Sequence, residues 1–161
     1  LGHVSPMGAL SRAACALAIL APAAALYGPR DGVVVVDESS FKKEVLDHDG
    51  VVLVEFFAPW CGHCKNLVPA WRKAAKALAG VVKVAAVDAT SAEALARKYG
   101  IQGFPTIKIF GADKKAPKDY QGGRDAEAIA KGGMAAAQEL VRARLGGGKG
   151  AGGKAGGSGS K

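Results

Sequence analysis

Residues 51–64 read VVLVEFFAPWCGHC and contain the strongest structural signal in the sequence. Its first seven residues are nearly all apolar, which is typical of a central strand covered on both faces. A helix is predicted to begin near Gly62, so Cys61 and Cys64 stand at its N-terminus. The free N–H groups and the dipole at that end favour a thiolate on Cys61. Since the thiolate is the reactive species, the pair is predicted to catalyse thiol–disulfide exchange.

The pattern on either side of this stretch predicts an α/β architecture. Strands are expected at residues 33–36, 51–57, 81–87, 106–110 and 119–121, and helices at 40–47, 62–78, 90–99 and 125–144. Ser39 or Ser40 is expected to cap the first helix, and a capping box from Thr90 to Glu93 the third. Pro69 should kink the second helix, and a Gly-Gly pair should weaken the last. This order predicts a mixed central sheet with helices on both faces.

Length and charge limit the function classes. The 161 residues suit one domain of about 110 residues with two tails. The formal net charge is +8, but between Asp31 and Leu140 there are 15 Lys and Arg against 14 Asp and Glu. A nucleic-acid-binding domain concentrates positive charge on its folded face. Because the excess here lies in the flanks, we expect no nucleic-acid partner.

Residues 1–25 are typical of a secretory signal peptide, and this range includes a few upstream residues before Met7. Arg12 precedes an apolar run, and Ala23–Ala25 offers a small-x-small cleavage site. The run is shorter than the roughly 20 residues that span a bilayer, so no membrane span is expected. A transit peptide or a buried helix is the alternative interpretation.

The other end of the chain, residues 146–161, contains only Gly, Ala, Lys and Ser and is predicted to be a flexible linker or tail. The catalytic domain is therefore expected at 27–145. The last residues carry no Lys-Asp-Glu-Leu type retention signal. We expect a piece of a longer protein, the alternative being one that leaves the lumen or is held there by a partner.

The cysteine count supports an oxidising compartment. Cys15 falls in the predicted signal peptide, so only Cys61 and Cys64 remain and no structural disulfide framework is possible. Zinc binding by this pair is the alternative, but zinc needs four ligands and the chain has three His. We expect neither a metal nor another cofactor.

Three motifs resemble the protein disulfide isomerase family, which has the thioredoxin fold. Residues 54–65, VEFFAPWCGHCK, resemble its active-site segment, and residues 103–106, GFPT, its cis-proline turn. Residues 118–124, KDYQGGR, resemble a segment of the first catalytic domain in members with tandem N-terminal thioredoxin domains. The resemblance covers roughly residues 27–146. It implies an enzyme of the endoplasmic reticulum lumen that forms and rearranges disulfides in folding secretory proteins.

The CGHC motif supplies the catalytic groups. Cys61 is expected to be the nucleophile and Cys64 the resolving cysteine, and together they form the redox-active disulfide. His63, beside Gly62, adds partial positive charge near the Cys61 thiolate and should make the disulfide more oxidising. On this scale isomerases lie at about −180 mV and thioredoxin at about −270 mV. The alternative for His63 is a solvated surface side chain.

Glu55 interrupts an otherwise apolar strand. Burial would raise the pKa of its carboxyl and suit it to accept a proton from Cys64 through water, which is also the role the resemblance implies. An exposed Glu at a strand edge is the alternative. Many relatives pair this carboxylate with a Lys where this chain has Ala86. Lys83 lies on the opposite strand face and is not expected to substitute for it.

The remaining candidates surround the thiols. The resemblance implies a cis peptide at Pro105, which would expose backbone groups of Phe104 or Thr106 for pairing with substrate and would exclude metal; a trans turn is the alternative. Trp60 is expected to pack beside the site. The resemblance also implies that Arg124 moves in to lower the pKa of the second cysteine, whereas a solvated Arg is the alternative.

The expected partners are unfolded or misfolded cysteine-containing polypeptides and an upstream thiol oxidase or glutathione. Two other functions are open. One is a binding module or chaperone for unfolded chains whose redox state is only a switch. The other is a reducing thioredoxin of another compartment, against which His63 and the signal-like segment both argue.

Overall fold

The computed structural model of this chain describes residues 26–146. Within that range the strands are β1 (Val34–Val35), β2 (Val52–Phe57), β3 (Lys83–Asp88), β4 (Thr106–Phe110) and β5 (Lys118–Asp119). They form one sheet in the order β1-β3-β2-β4-β5. β3 is parallel to β1 and β2, and β4 is antiparallel to β2 and β5. The predicted mixed sheet is confirmed.

The helices cover both faces of the sheet. In chain order they are a π-helix (Lys42–Leu46), α1 (Gly62–Ala77), α2 (Glu93–Lys98) and α3 (Ala126–Leu145). α1 and α3 pack on one face, and the π-helix and α2 pack on the other. All six residues of β2 are therefore buried, as its apolar run predicts. In α1, Leu67 and Trp71 are buried at helical spacing, with Pro69 inside the helix.

Both predicted serine and threonine caps are wrong. Instead of Ser39 or Ser40 capping the first helix, the N–H and hydroxyl of Ser40 both donate to Asp37 Oδ1, at 2.8 and 2.7 Å. Thr90 likewise turns its N–H and hydroxyl to Asp88 Oδ1, and α2 begins without a side-chain cap. In each case a nearby carboxylate, a stronger acceptor than a hydroxyl, takes the backbone N–H and orders the turn before the helix.

The start of α3 has a side-chain cap. Asp125 has extended backbone, and its Oδ1 accepts the N–H of Ala128 at 2.9 Å. Gly133 of this helix faces the sheet, and a Cβ there would lie 2.9 Å from Leu78 Cδ1 and 3.2 Å from Leu53 Cδ1. This glycine therefore permits close packing of α3, so it does more than weaken the helix.

Some predictions fall outside the described residues. The signal peptide predicted at 1–25, with Cys15, lies there, as does all but the first residue of the tail predicted at 146–161. Among the helices of the described part, none is both long and apolar enough to cross a membrane.

Candidate active site

Cys61 and Cys64 differ sharply in their surroundings. Cys61 is the N-cap of α1, with extended backbone, and its Sγ accepts the N–H of Cys64 at 3.3 Å. Both cysteines are free. Cys61 keeps 7% of its surface exposed, whereas Cys64 keeps none. The sulfur that reaches solvent is thus the one that accepts the hydrogen bond and lies at the positive end of the helix dipole. Both interactions stabilise a thiolate.

Cys64 lies behind its partner in the core between α1 and the sheet. Burial, with the hydrogen bond that the Cys64 thiol donates to Cys61 adding to it, raises the pKa of that thiol to about 12. A thiol this weakly acidic is almost wholly protonated at neutral pH. It therefore needs a base nearby before it can act as a nucleophile.

Glu55 is the buried acidic group that could meet this need. It lies in the middle of β2 and is fully buried, unlike the exposed edge residue of the alternative interpretation. Burial raises the pKa of its carboxyl to about 7, against smaller lowering effects of the Tyr27 hydrogen bond and the Arg124 charge. Near neutral pH this carboxyl can therefore either take or return a proton.

The contacts of Glu55 are unusual for a buried acid. Its Oε2 accepts a hydrogen bond from the Tyr27 hydroxyl, and its Oε1 has no hydrogen-bond partner within residues 26–146. Ala86 lies opposite Glu55 in the parallel register with β3. Lys83 instead pairs with Glu44 at 3.0 Å. As expected, Lys83 does not supply the positive charge that a Lys at position 86 would place opposite Glu55.

A cleft of about 400 Å³ opens beside the thiols. It is lined by His63, Asn66, Leu67, Phe104, Pro105 and Arg124. The Phe104–Pro105 peptide is cis, as the resemblance implies. The carbonyl oxygen of Phe104 lies 3.6 Å from Cys61 Sγ, and that of Pro105 accepts a hydrogen bond from Arg124 Nη1 at 3.3 Å. Arg124 is exposed, yet it extends over the cleft.

The rim of the site is aromatic and polar. Trp60 is 71% exposed and contacts Phe104 edge to face, with ring centroids 6.0 Å apart. Thr106 begins β4, and its hydroxyl donates to the Gly103 carbonyl at 2.8 Å. Gly62 and His63 are the first two residues of α1, and both are exposed.

The structure brings the predicted site residues to one end of the sheet, and it adds residues the sequence did not indicate. Asn66 and Leu67 line the cleft from α1, and Tyr27 contacts Glu55 from the segment before β1. Tyr27 lies outside every periodic stretch, so no sequence signal marks it. Within the described residues, no three His, Cys, Asp or Glu side chains group to hold a metal ion.

Comparison with known proteins places this site in context. The thioredoxin family model matches residues 32–134. Mouse protein disulfide-isomerase A6 is 56% identical over 122 residues, which is 76% of this chain and 28% of that protein. Arabidopsis thaliana protein disulfide-isomerase 2-3 is 52% identical over 128 residues, 80% of this chain and 29% of that protein.

A solved structure shows the same arrangement of elements. The solution structure of the first thioredoxin domain of mouse protein disulfide-isomerase A4 has a TM-score of 0.60 and 42% identity, over 67% of this chain and 77% of that one. The chain spans less than a third of the length of the two curated relatives described above.

Proposed function

Because this chain belongs to the thioredoxin family and has protein disulfide isomerases among its relatives, we propose that it is a thiol–disulfide oxidoreductase and isomerase that acts on cysteines of folding secretory proteins. One observation carries the proposal. A solvent-reaching Cys61 caps a helix directly in front of a buried Cys64. This placement gives one sulfur for attack and a second for resolution.

Oxidation of a client begins from the Cys61–Cys64 disulfide. A client thiolate attacks Cys61 Sγ, so a mixed disulfide forms, the Cys61–Cys64 bond breaks, and Cys64 leaves as a thiolate that takes up a proton. A second client thiolate then attacks the client sulfur of the mixed disulfide. A client disulfide forms, and Cys61 leaves as a thiolate.

Isomerisation begins from the reduced pair. The Cys61 thiolate attacks a client disulfide, forms a mixed disulfide and releases one client thiolate, which is free to attack another client disulfide. A client that stalls is released when Cys64 attacks Cys61 Sγ. The Cys61–Cys64 bond then forms, and the client leaves as a thiolate.

Proton transfer at Cys64 is assigned to Glu55. The buried thiol must lose its proton to attack and regain it when it leaves, and a carboxyl with a pKa of about 7 suits both directions. Arg124 extends over the cleft, and we assign it the complementary role of lowering the pKa of Cys64 as it approaches that sulfur.

Client binding is assigned to the cleft and its rim. Trp60 offers a large exposed ring, and the turn at Phe104, Pro105 and Thr106 presents backbone beside Cys61. We place the reaction in the endoplasmic reticulum lumen. The signal-like segment at 1–25 and the absence of cysteines other than Cys61 and Cys64 from the described residues support this. The oxidant that restores the disulfide is a thiol oxidase or oxidised glutathione.

The test is recovery of a scrambled disulfide-containing protein by the full chain. Cys61→Ser/Cys64→Ser is expected to abolish recovery, and the matched control Cys15→Ser, outside the pair, is expected to leave it unchanged. Full recovery with the double serine variant would favour the binding module over the enzyme. The binding-module function is tested as the second candidate because the exposed ring of Trp60 offers a binding surface that needs no redox step.

The redox potential separates an oxidising isomerase from a reducing thioredoxin. We expect equilibration with glutathione buffers to give a value nearer about −180 mV than about −270 mV. His63→Pro should move it toward the thioredoxin value by tens of millivolts, each 30 mV being about 1.4 kcal/mol. A wild-type value near that of thioredoxin would overturn the oxidising assignment.

A further inference from the structure

We propose that Tyr27 is a positioning residue for this exchange reaction, whose hydroxyl holds one carboxylate oxygen of Glu55 and leaves the other free for proton exchange with Cys64. The inference rests on the proposed role of Glu55. It adds a residue from the segment before β1 that no active-site motif contains.

The ring of Tyr27 is fixed by packing. It is 97% buried and contacts Phe57 edge to face, with centroids 5.9 Å apart and planes at 78°. Phe57 is two residues after Glu55 in β2, so the two side chains lie on the same face of the sheet. A ring held against Phe57 therefore brings its hydroxyl to Glu55 Oε2, to which it donates a hydrogen bond.

Within the described residues, no cationic side chain forms an ion pair with the Glu55 carboxylate. Ala86, opposite Glu55 in β3, carries no charge, and Lys83 is paired with Glu44. Arg124 is the charged group that influences Glu55, and its effect on the pKa of Glu55 is smaller than that of the Tyr27 hydrogen bond. The phenol is thus the main group that favours the ionised carboxylate.

A phenol suits this task because it stays a donor. Burial and the adjacent Glu55 raise the pKa of Tyr27 well above its usual range, so the hydroxyl keeps its proton throughout the working pH range. A neutral donor offsets only part of the burial effect, and the pKa of Glu55 stays at about 7. A general base works best when its pKa is near the ambient pH.

Resolution of the mixed disulfide by Cys64 needs no further reagent. Through one water molecule, the proton leaves Cys64 Sγ and arrives at Glu55 Oε1, the oxygen without a partner among residues 26–146. The Cys64 thiolate attacks Cys61 Sγ, the Cys61–Cys64 bond forms, and the bond between Cys61 and the client breaks. The client leaves as a thiolate, and Tyr27 keeps its proton throughout.

The test is the pH profile of mixed-disulfide resolution in Tyr27→Phe, measured in single turnover by rapid quenching with an alkylating reagent. Loss of a hydrogen bond to the ionised carboxylate should raise the midpoint by about 1 pH unit. At pH 7 the ionised fraction of Glu55 then falls from about one half to about one tenth, so resolution slows about fivefold. The rate should recover above pH 9. Attack by Cys61 should be unchanged.

An infrared titration gives an independent readout. The carboxyl band of Glu55, identified by its loss in Glu55→Gln, should titrate at the same raised midpoint in Tyr27→Phe. Tyr99→Phe removes a hydroxyl on the other face of the sheet and is the matched control. Tyr27→Phe/Ala86→Lys places a cation opposite Glu55 and should restore the rate at pH 7.

The outcomes separate this inference from the proposed function. An unchanged midpoint in Tyr27→Phe, with Glu55→Gln still slow, would overturn the role of Tyr27 alone. A wild-type resolution rate in Glu55→Gln would overturn the role of Glu55, and that of Tyr27 with it. If Tyr27→Phe folds poorly, 3-fluorotyrosine at position 27, a stronger donor, should lower the infrared midpoint. No change there would equally overturn the proposal.

Discussion

At the scale of single residues, access to solvent assigns different tasks to two chemically identical thiols. Cys61 reaches the surface at the tip of α1, whereas Cys64 is fully buried one turn later. A client disulfide can approach only the first sulfur. We therefore expect a mixed disulfide to form on Cys61 and to be released by Cys64.

We predict that Cys64→Ser accumulates a mixed disulfide with a client, because attack by Cys61 continues while resolution is lost. Intact-protein mass spectrometry under non-reducing conditions would detect the added client mass. Cys61→Ser is the control and should form little adduct. Equal adducts in both variants would contradict the assignment of the nucleophile.

The carboxyl of Glu55 also predicts how stability depends on pH. Burial raises its pKa from 4.5 to about 7, so the folded state binds a proton that the unfolded state releases. The folded state is therefore not penalised below pH 4.5, and it loses stability as pH rises from 4.5 through 7. At about 1.4 kcal/mol for a pKa change of 1, the loss is about 3 kcal/mol.

We therefore predict that Glu55→Gln gains about 3 kcal/mol relative to wild type between pH 4.5 and pH 8. Urea unfolding at a series of pH values measures this difference. Glu127→Gln, in the first turn of α3, is an exposed control and should show no such trend. A constant difference between Glu55→Gln and wild type would show that the carboxyl is not perturbed.

Local chemistry alone indicates some of these residues but not others. Cys61 and Cys64 are marked by their spacing at a helix start, and Glu55 by a lone charge in an apolar strand. Tyr27 has no such mark, because its partner is 28 residues away and only the fold brings the two together. The sequence leaves the direction of the Arg124 side chain equally undetermined, since it depends on a hydrogen bond to the Pro105 carbonyl.

At the scale of elements, the start of each helix depends on which groups accept hydrogen bonds from the backbone N–H groups of its first turn. The sequence predicts the ends of the strands and helices to within three residues, because their apolar periodicity is strong. It fails at the caps of the π-helix and α2. Ser40 and Thr90 carry the usual capping hydroxyls, but the carboxylates of Asp37 and Asp88 accept the backbone N–H groups there instead. Propensity cannot decide between two local acceptors.

The N-terminus of α3 allows a direct test of capping. Asp125→Ala removes the acceptor for the Ala128 N–H and should lower the free energy of unfolding by about 1 kcal/mol. Asp125→Asn keeps a capping oxygen and should lose much less. Urea unfolding at neutral pH would measure both. Equal losses in the two variants would mean that charge near the helix dipole matters more than the cap.

At the scale of the whole molecule, the sheet separates two apolar cores. One lies under α1 and α3 and contains both cysteines; the other lies under the π-helix and α2 and contains Phe41, Phe56 and Phe110. The thiol chemistry is thus confined to one layer. The second layer supports the sheet from behind.

This arrangement predicts that the domain is self-sufficient. A chain of residues 26–146 contains both cores and every proposed site residue, so we expect it to unfold at the same urea concentration as the full chain. Its rate of disulfide exchange with a small peptide should also be unchanged. A lower midpoint would show that residues outside this range contribute to the stability of the fold.

The shortness of the outer strands bears on the proposed binding of unfolded chains. Such chains present unpaired backbone groups, and a long bare sheet edge would capture them as added strands and start aggregation. β1 and β5 each offer only two residues, and β5 is Lys118–Asp119, both charged. The edges therefore give an extended polypeptide little to pair with. On the proposed function, its backbone pairs instead with the turn beside Cys61, where disulfide exchange and release follow.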